Sequence, residues 1–145
     1  MGEGELLPTM RARVEQLGLR ESVHILGMRP DAAELVAGAD LFVLPSRIEG
    51  IPGVVLEAAA QGVPTVATNV GGMAEAIVEG RTGLLIDLGD RKGFVTAVVS
   101  LLADEARRKG MGAAARGLVR EHFSMEVTAS AFEDLYTRMI SEQRR

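Results

Sequence analysis

Leu41-Phe42-Val43-Leu44-Pro45-Ser46-Arg47-Ile48-Glu49-Gly50-Ile51-Pro52-Gly53-Val54-Val55-Leu56-Glu57-Ala58-Ala59-Ala60 is the stretch that decides the fold. It opens with a continuous apolar run closed by a proline, the pattern of a parallel strand buried on both faces. It closes with an alanine-rich segment, Val54 to Ala60, that reads as a short helix. Between them lies a loop with two glycines and a proline. Strand, loop and helix start in that order put the first free amides of the helix at the carboxyl end of the strand, with the positive end of the helix dipole behind them. That geometry receives phosphate without a basic side chain. Two carboxylates flank it. Glu49 sits in the loop at the mouth of the crevice, and Glu57 lies about one helical turn inside, where it can accept from two neighbouring hydroxyls. A diphosphate with a sugar on one side and a ribose on the other matches this arrangement.

Working outward, short aliphatic runs alternate with longer helical stretches. Apolar residues at Leu6, Leu7, Met10, Val14 and Leu17 have helical spacing, and Gly18 then stops the helix. Val23 to Leu26 reads as a short strand. Asp31 to Ala37 reads as a helix, with Asp31 as its cap. Pro64 to Thr68 and Gly83 to Ile86 are the next strands. Helices are then expected over Gly93 to Leu102, Glu105 to Glu121 and Met125 to Ser141, the last capped by Ser124. This alternation predicts an α/β fold, a Rossmann-like parallel sheet with helices on both faces. Ligands in such sheets bind beyond the carboxyl ends of the strands, so sites belong after Leu26, Leu44 and Thr68.

Composition narrows the function classes. The chain has 145 residues, room for one domain, and its 47% hydrophobic and 25% charged residues are ordinary for a soluble globular protein. It has no cysteine, which excludes disulfides and thiolate metal sites. A net charge of −4 argues against nucleic acid as the main partner. No apolar run approaches the ~18 residues of a membrane span, and Met1 to Glu5 lacks the pattern of a signal peptide. A cytoplasmic setting is expected.

Glu49 and Glu57, with seven residues between them, resemble the E-x7-E motif of retaining glycosyltransferases of the GT-B fold, specifically the family 4 group. Ala39 to Ser46 resembles the family's approach to that motif, and Glu57-Ala58-Ala59-Ala60-Gln61-Gly62-Val63-Pro64-Thr65-Val66-Ala67-Thr68 its exit. Val70-Gly71-Gly72-Met73-Ala74-Glu75, Gly80-Arg81-Thr82-Gly83-Leu84-Leu85 and Phe123-Ser124 follow in the family's order. The resemblance covers nearly the whole chain. It implies that Glu57 binds the donor ribose, and that Glu49 contacts the transferred sugar as the catalytic-centre carboxylate. It also implies that backbone amides near Gly53, Val54 and Val55 hold the distal phosphate, that Gly50, Ile51 and Pro52 belong to the same substrate-binding segment, and that Gly27 and Met28 edge the base pocket. The family often carries Gly-Phe-Gly after the first glutamate. Here Gly50-Ile51-Pro52-Gly53 stands instead, and Pro52 has no amide hydrogen to give.

The same resemblance implies that residues 1–145 are a partial C-terminal, donor-binding domain. The family's acceptor-binding N-terminal domain, its first C-terminal strands, and the Arg and Lys that neutralise the diphosphate are expected outside this sequence. The partners expected are a nucleoside diphosphate sugar and that missing domain, with no metal or other cofactor and no nucleic acid. Any membrane contact is expected only through the missing domain. The chain alone is expected to be inactive. An unpaired strand edge further predicts either a rearranged four-stranded sheet, with Val23–Leu26 beside Leu41–Leu44, or a homodimer. The alternative reading is a non-catalytic nucleotide-sugar-binding module or a split subunit needing a second chain. An epimerase of the same fold is disfavoured by the E-x7-E segment. Gly71-Gly72 reads either as an anion-binding turn near the sugar or as a structural turn. Gly2-Glu3-Gly4 reads as a phosphate-side turn or a frayed terminus. Arg47, Glu75, His24 and His122 read as solvated or structural, and the methionines as filler.

Overall fold

A computed structural model describes residues 4–143, so Gly2 and Glu3 of the N-terminal turn lie outside the described residues. The chain divides into two compact units, Met1–Leu35 and Val36–Arg145.

The first unit holds helix α1 (Leu7–Gln16), with Pro8 in its first turn, where a missing amide hydrogen costs nothing. Gly18 ends it in the left-handed region at φ 66°, its amide donating to Glu15 O at 3.0 Å and the Leu19 amide to Val14 O at 3.0 Å. The strand expected at Val23–Leu26 is not there. A strand exists through its ladder, and among the described residues this segment pairs with no other strand. Val23 instead donates to Leu19 O, closing a turn. No residue from 4 to 35 is buried. Helix α2 (Ala32–Ala37) follows, starting where Asp31 was expected to cap it. The Asp31 carboxylate is taken by Arg29, whose Nε donates to Oδ1 at 2.7 Å, and this hydrogen bond holds it below the usual carboxylate range.

The second unit is built on three parallel strands in the order β1 (Phe42–Leu44), β2 (Thr65–Thr68) and β3 (Gly83–Ile86). The sheet thus has three strands, not the four of the rearrangement. Phe42 lies opposite Thr65, and Thr65 opposite Gly83. Helix α3 (Gly53–Ala60) joins β1 to β2, and α4 (Met73–Ala76) lies between β2 and β3. Helices α5 (Arg91–Ala103), α6 (Glu105–His122) and α7 (Met125–Gln143) complete the unit. Every residue of β2 is buried. Successive side chains of a strand point to opposite faces, so Ala67 joins Val55, Met73, Ala76 and Ile77 in one core, while Val66 joins Leu84, Ala97, Leu101 and Met111 in another. Helices therefore cover both faces, as the sequence pattern requires. Helix α5 begins two residues earlier than Gly93 because Asp90 caps it, accepting from Gly93 N at 2.8 Å; Asp104 caps α6 in the same way from Arg107 N at 2.9 Å. The Ser124 hydroxyl accepts from Val127 N at 3.3 Å at the start of α7.

One contact between helices orients the site. Helix α6 crosses the C-terminal end of α3 with Gly112 against the backbone of Gly62, so close that a Cβ at Gly112 would overlap the Gly62 carbonyl oxygen. From the next turn of α6, Arg116 donates to Ala60 O at 3.2 Å and Gln61 O at 2.6 Å. A guanidinium on the last carbonyls also suits the negative end of the α3 dipole. The C-terminal end of α3 is thereby fixed, and its opposite end lies next to the loop that leaves the carboxyl end of β1.

Candidate functional site

The loop between β1 and α3 is held from the side by the end of β2 and the turn after it. Thr68, the buried last residue of β2, donates its hydroxyl to the Ser46 carbonyl, and Leu44 O lies 3.4 Å away. Three residues further on, the Gly71-Gly72 turn meets the middle of the loop. Gly72 N donates to Gly50 O at 2.9 Å. A Cβ at Gly71 would overlap the Glu49 carbonyl oxygen, and one at Gly72 would stand 2.8 Å from Ile51 Cγ1. Gly71 has φ 55°, a region that glycine enters without strain. The glycine pair is thus a close-packed brace, and the Gly72 amide is committed to protein.

Helix α3 starts without a side-chain cap. Pro52 occupies the capping position, buried and extended at φ −74° and ψ 119°. Its missing amide hydrogen removes nothing there, because that position lies before the helix ladder. Val55 N donates to Pro52 O at 3.0 Å, whereas the amides of Gly53 and Val54 find no acceptor among the described residues. Both of these residues are exposed. Glu57 is exposed on the same helix, and its Oε1 lies 3.9 Å from where a Gly53 Cβ would stand, so the carboxylate folds back over the first turn beside the free amides. Glu49 is partly exposed in the loop before them. Neither carboxylate has an ion-pair partner among the described residues. Glu49, Gly50, Ile51, Pro52, Gly53, Val54, Val55 and Glu57 therefore lie on one loop-and-helix start at the carboxyl end of β1. Such a place offers hydrogen-bond donors to an anion and two carboxylates to hydroxyls.

Gly27 and Met28 belong to the first unit. Gly27 is left-handed at φ 66° and Met28 is exposed, and the strand expected to lead into them is absent. A cavity of about 550 Å³ opens at the carboxyl ends of the three strands, lined by Pro45, Arg47, Thr68, Asp87, Arg91 and Phe94 among others, with neither Glu49 nor Glu57 in its wall. Among the described residues no group of three or more His, Cys, Asp or Glu could hold a metal ion, and no helix is long and apolar enough to cross a membrane. Sequence reasoning overlooked Thr68. A threonine closing an apolar strand carries no local mark of its role, which depends on a partner 22 residues away.

The chain is similar to several glycosyltransferases. It is 37% identical over 144 residues to N-acetyl-alpha-D-glucosaminyl L-malate synthase of Bacillus anthracis, covering 99% of this chain and 38% of that protein. It is 37% identical over 138 residues to D-inositol 3-phosphate glycosyltransferase of Corynebacterium glutamicum, covering 93% of this chain and 32% of that protein. Among solved structures, sucrose-phosphate synthase from Thermosynechococcus elongatus superposes with a TM-score of 0.84 at 28% identity, over 93% of this chain and 34% of that one. Anabaena HepE in complex with UDP-glucose does so with a TM-score of 0.83 at 25% identity, over 94% and 39%. The chain spans well under half the length of these proteins. The model of the family Glycosyl transferases group 1 matches residues 1–104, and with strand, loop and helix start in the family's order, the chain belongs to that family of GT-B-fold proteins.

Proposed function

We propose that this chain is the donor-binding part of a retaining glycosyltransferase that moves a hexosyl group from a nucleoside diphosphate sugar to an acceptor. The observation that carries the reading is the uncapped start of α3, with the free amides of Gly53 and Val54 lying in the chain between Glu49 and Glu57 and the Glu57 carboxylate folded back over that first turn. In this reading the distal phosphate sits on those amides, where the helix dipole and two N–H donors offset its charge. Glu57 accepts from the ribose hydroxyls. Glu49 accepts from hydroxyls of the sugar and orients its anomeric carbon, which makes it the catalytic residue of this part. Interactions that orient the reacting sugar act on the transition state more than on nucleotide binding. Gly27 and Met28 edge the base pocket. No divalent cation takes part in donor binding, because the helix start takes over part of the charge neutralisation. A relative named as a glycosyltransferase, and a structural neighbour solved with UDP-glucose, support the donor class.

The acceptor site and a second domain belong, in this reading, to the additional length that the relatives carry. Isothermal calorimetry of the 145-residue chain against UDP, GDP and ADP, and against their glucose and mannose conjugates, tests the donor assignment. One nucleotide series should bind, unaffected by EDTA. A folded chain that binds none of them overturns the reading, and binding that EDTA abolishes and magnesium restores overturns its metal-free part.

A further inference from the structure

We propose that Thr68, Gly71 and Gly72 are positioning residues for Glu49, setting how the site grips the sugar of the donor while leaving its grip on the nucleotide alone; this rests on the donor-site reading above. The loop that carries Glu49 has one end fixed by β1 and the other by α3. Between these ends, among the described residues, its hydrogen bonds to other segments all come from residues 68 to 72. Thr68 takes the Ser46 carbonyl at the loop's start. Gly72 N takes Gly50 O at 2.9 Å in its middle. Gly71 leaves room for the Glu49 carbonyl itself, where any Cβ would overlap it. The backbone of Glu49 therefore rests directly on the brace, whereas Gly53, Val54 and Glu57 belong to a helix held by the buried Val55 in the core and, at its far end, through Arg116 and Gly112. Pushing on the brace moves Glu49 and spares the nucleotide side. A displacement of an ångström is enough to break a hydrogen bond whose useful range spans about half that.

The readout is the ratio between the affinity for the best-binding nucleoside diphosphate sugar of the panel and the affinity for its free nucleoside diphosphate. A structural defect lowers both together, whereas a misplaced Glu49 lowers only the first. Gly71→Ala should reduce that ratio at least about tenfold, the size of one lost hydrogen bond to a charged group. Thr68→Val, which keeps the shape and removes the hydroxyl, should lower it in the same direction, and Thr68→Ser should restore it. Gly80→Ala is the control, because Gly80 shares the left-handed conformation at φ 73° but has nothing within 4 Å of an added Cβ; its ratio should match wild type. In a labelled sample, Gly71→Ala should shift the amide signals of Glu49 to Ile51 and leave those of Leu56 to Ala60 in place. Wild-type binding with an unchanged ratio in both Gly71→Ala and Thr68→Val overturns the positioning role and leaves the donor reading standing. A folded wild type that binds no member of the panel overturns the donor reading instead. If Gly71→Ala does not fold, Thr68→Val against Thr68→Ser decides alone.

Discussion

The two ends of α3 are finished in opposite ways. At the C-terminal end every device points to closure. Arg116 covers the last carbonyls, Gly62 turns the chain in the left-handed region at φ 77°, and Gly112 lets α6 come down onto that turn. At the N-terminal end there is no capping side chain, a proline stands in the capping position, and two amides have no acceptor among the described residues. Helix starts commonly recruit Ser, Thr, Asp or Asn for those donors at a gain of about 1 kcal/mol. Both α5 and α6 do so here, through Asp90 and Asp104. An eight-residue helix that forgoes this gain, while its other end is tightly held, has its stability at one end and its chemistry at the other.

The contrast breaks most visibly at Gly112. Helix propensity alone makes Gly→Ala stabilising by about 1 kcal/mol. The approach of the Gly62 carbonyl reverses the sign, and Gly112→Ala should cost about 3 kcal/mol as backbone moves apart to admit the methyl. Urea unfolding monitored by circular dichroism measures this; an unchanged or raised midpoint would show that α6 does not close the end of α3. At the open end the expected change is in binding. Glu57→Ala should weaken nucleoside diphosphate binding roughly 10- to 150-fold, the worth of a hydrogen bond to a charged group. Its unfolding free energy should stay within about 0.5 kcal/mol of wild type, as for other exposed positions. Calorimetry and a urea melt on the same sample separate the two, and a stability loss matching the affinity loss would erase the distinction between the ends. The smallest effect sharpens the first: Gly110 lies on α6 with nothing within 4 Å of an added Cβ, so Gly110→Ala should raise stability by about 0.5–1 kcal/mol. Equal effects at 110 and 112 would mean that crowding at Gly62 is irrelevant.

What could be read from the sequence follows the range of the interactions involved. The loop-and-helix start from Pro45 to Glu57 was legible because its parts are neighbours in the chain, so one stretch carries strand, turn chemistry and both carboxylates. The long helices were legible because their periodicity is local; the first turn of α5 was misjudged only by overlooking Asp90 as its cap. Val23–Leu26 was misread because four residues of strand character say nothing about whether a partner strand lies beside them. The crossing of α6 over Gly62 was invisible for the same reason. Gly110, Gly112 and Gly117 all occupy α6 and look alike in the sequence, yet only Gly112 meets another backbone. Thr68 and the Gly71-Gly72 turn act on a loop about 20 residues earlier, so nothing adjacent marked which of the two roles open to the glycine pair it fills.

The three-stranded sheet has one more consequence, for solvent exchange. In β2 both edges are flanked, by β1 and β3, and every residue is buried, so its amides belong to the part of the molecule that opens only when the whole unit unfolds. Among the described residues only one edge of β1 is flanked. The Phe42 amide donates across to Pro64 O, and the alternation of a strand turns the Val43 amide the other way. Val43 therefore sits one strand away from the slowest-exchanging backbone in the unit with its own N–H outside the ladder. Its deuterium uptake is a built-in gauge of the sheet's free side, fast while that side meets water and slow once any other strand lies down along it.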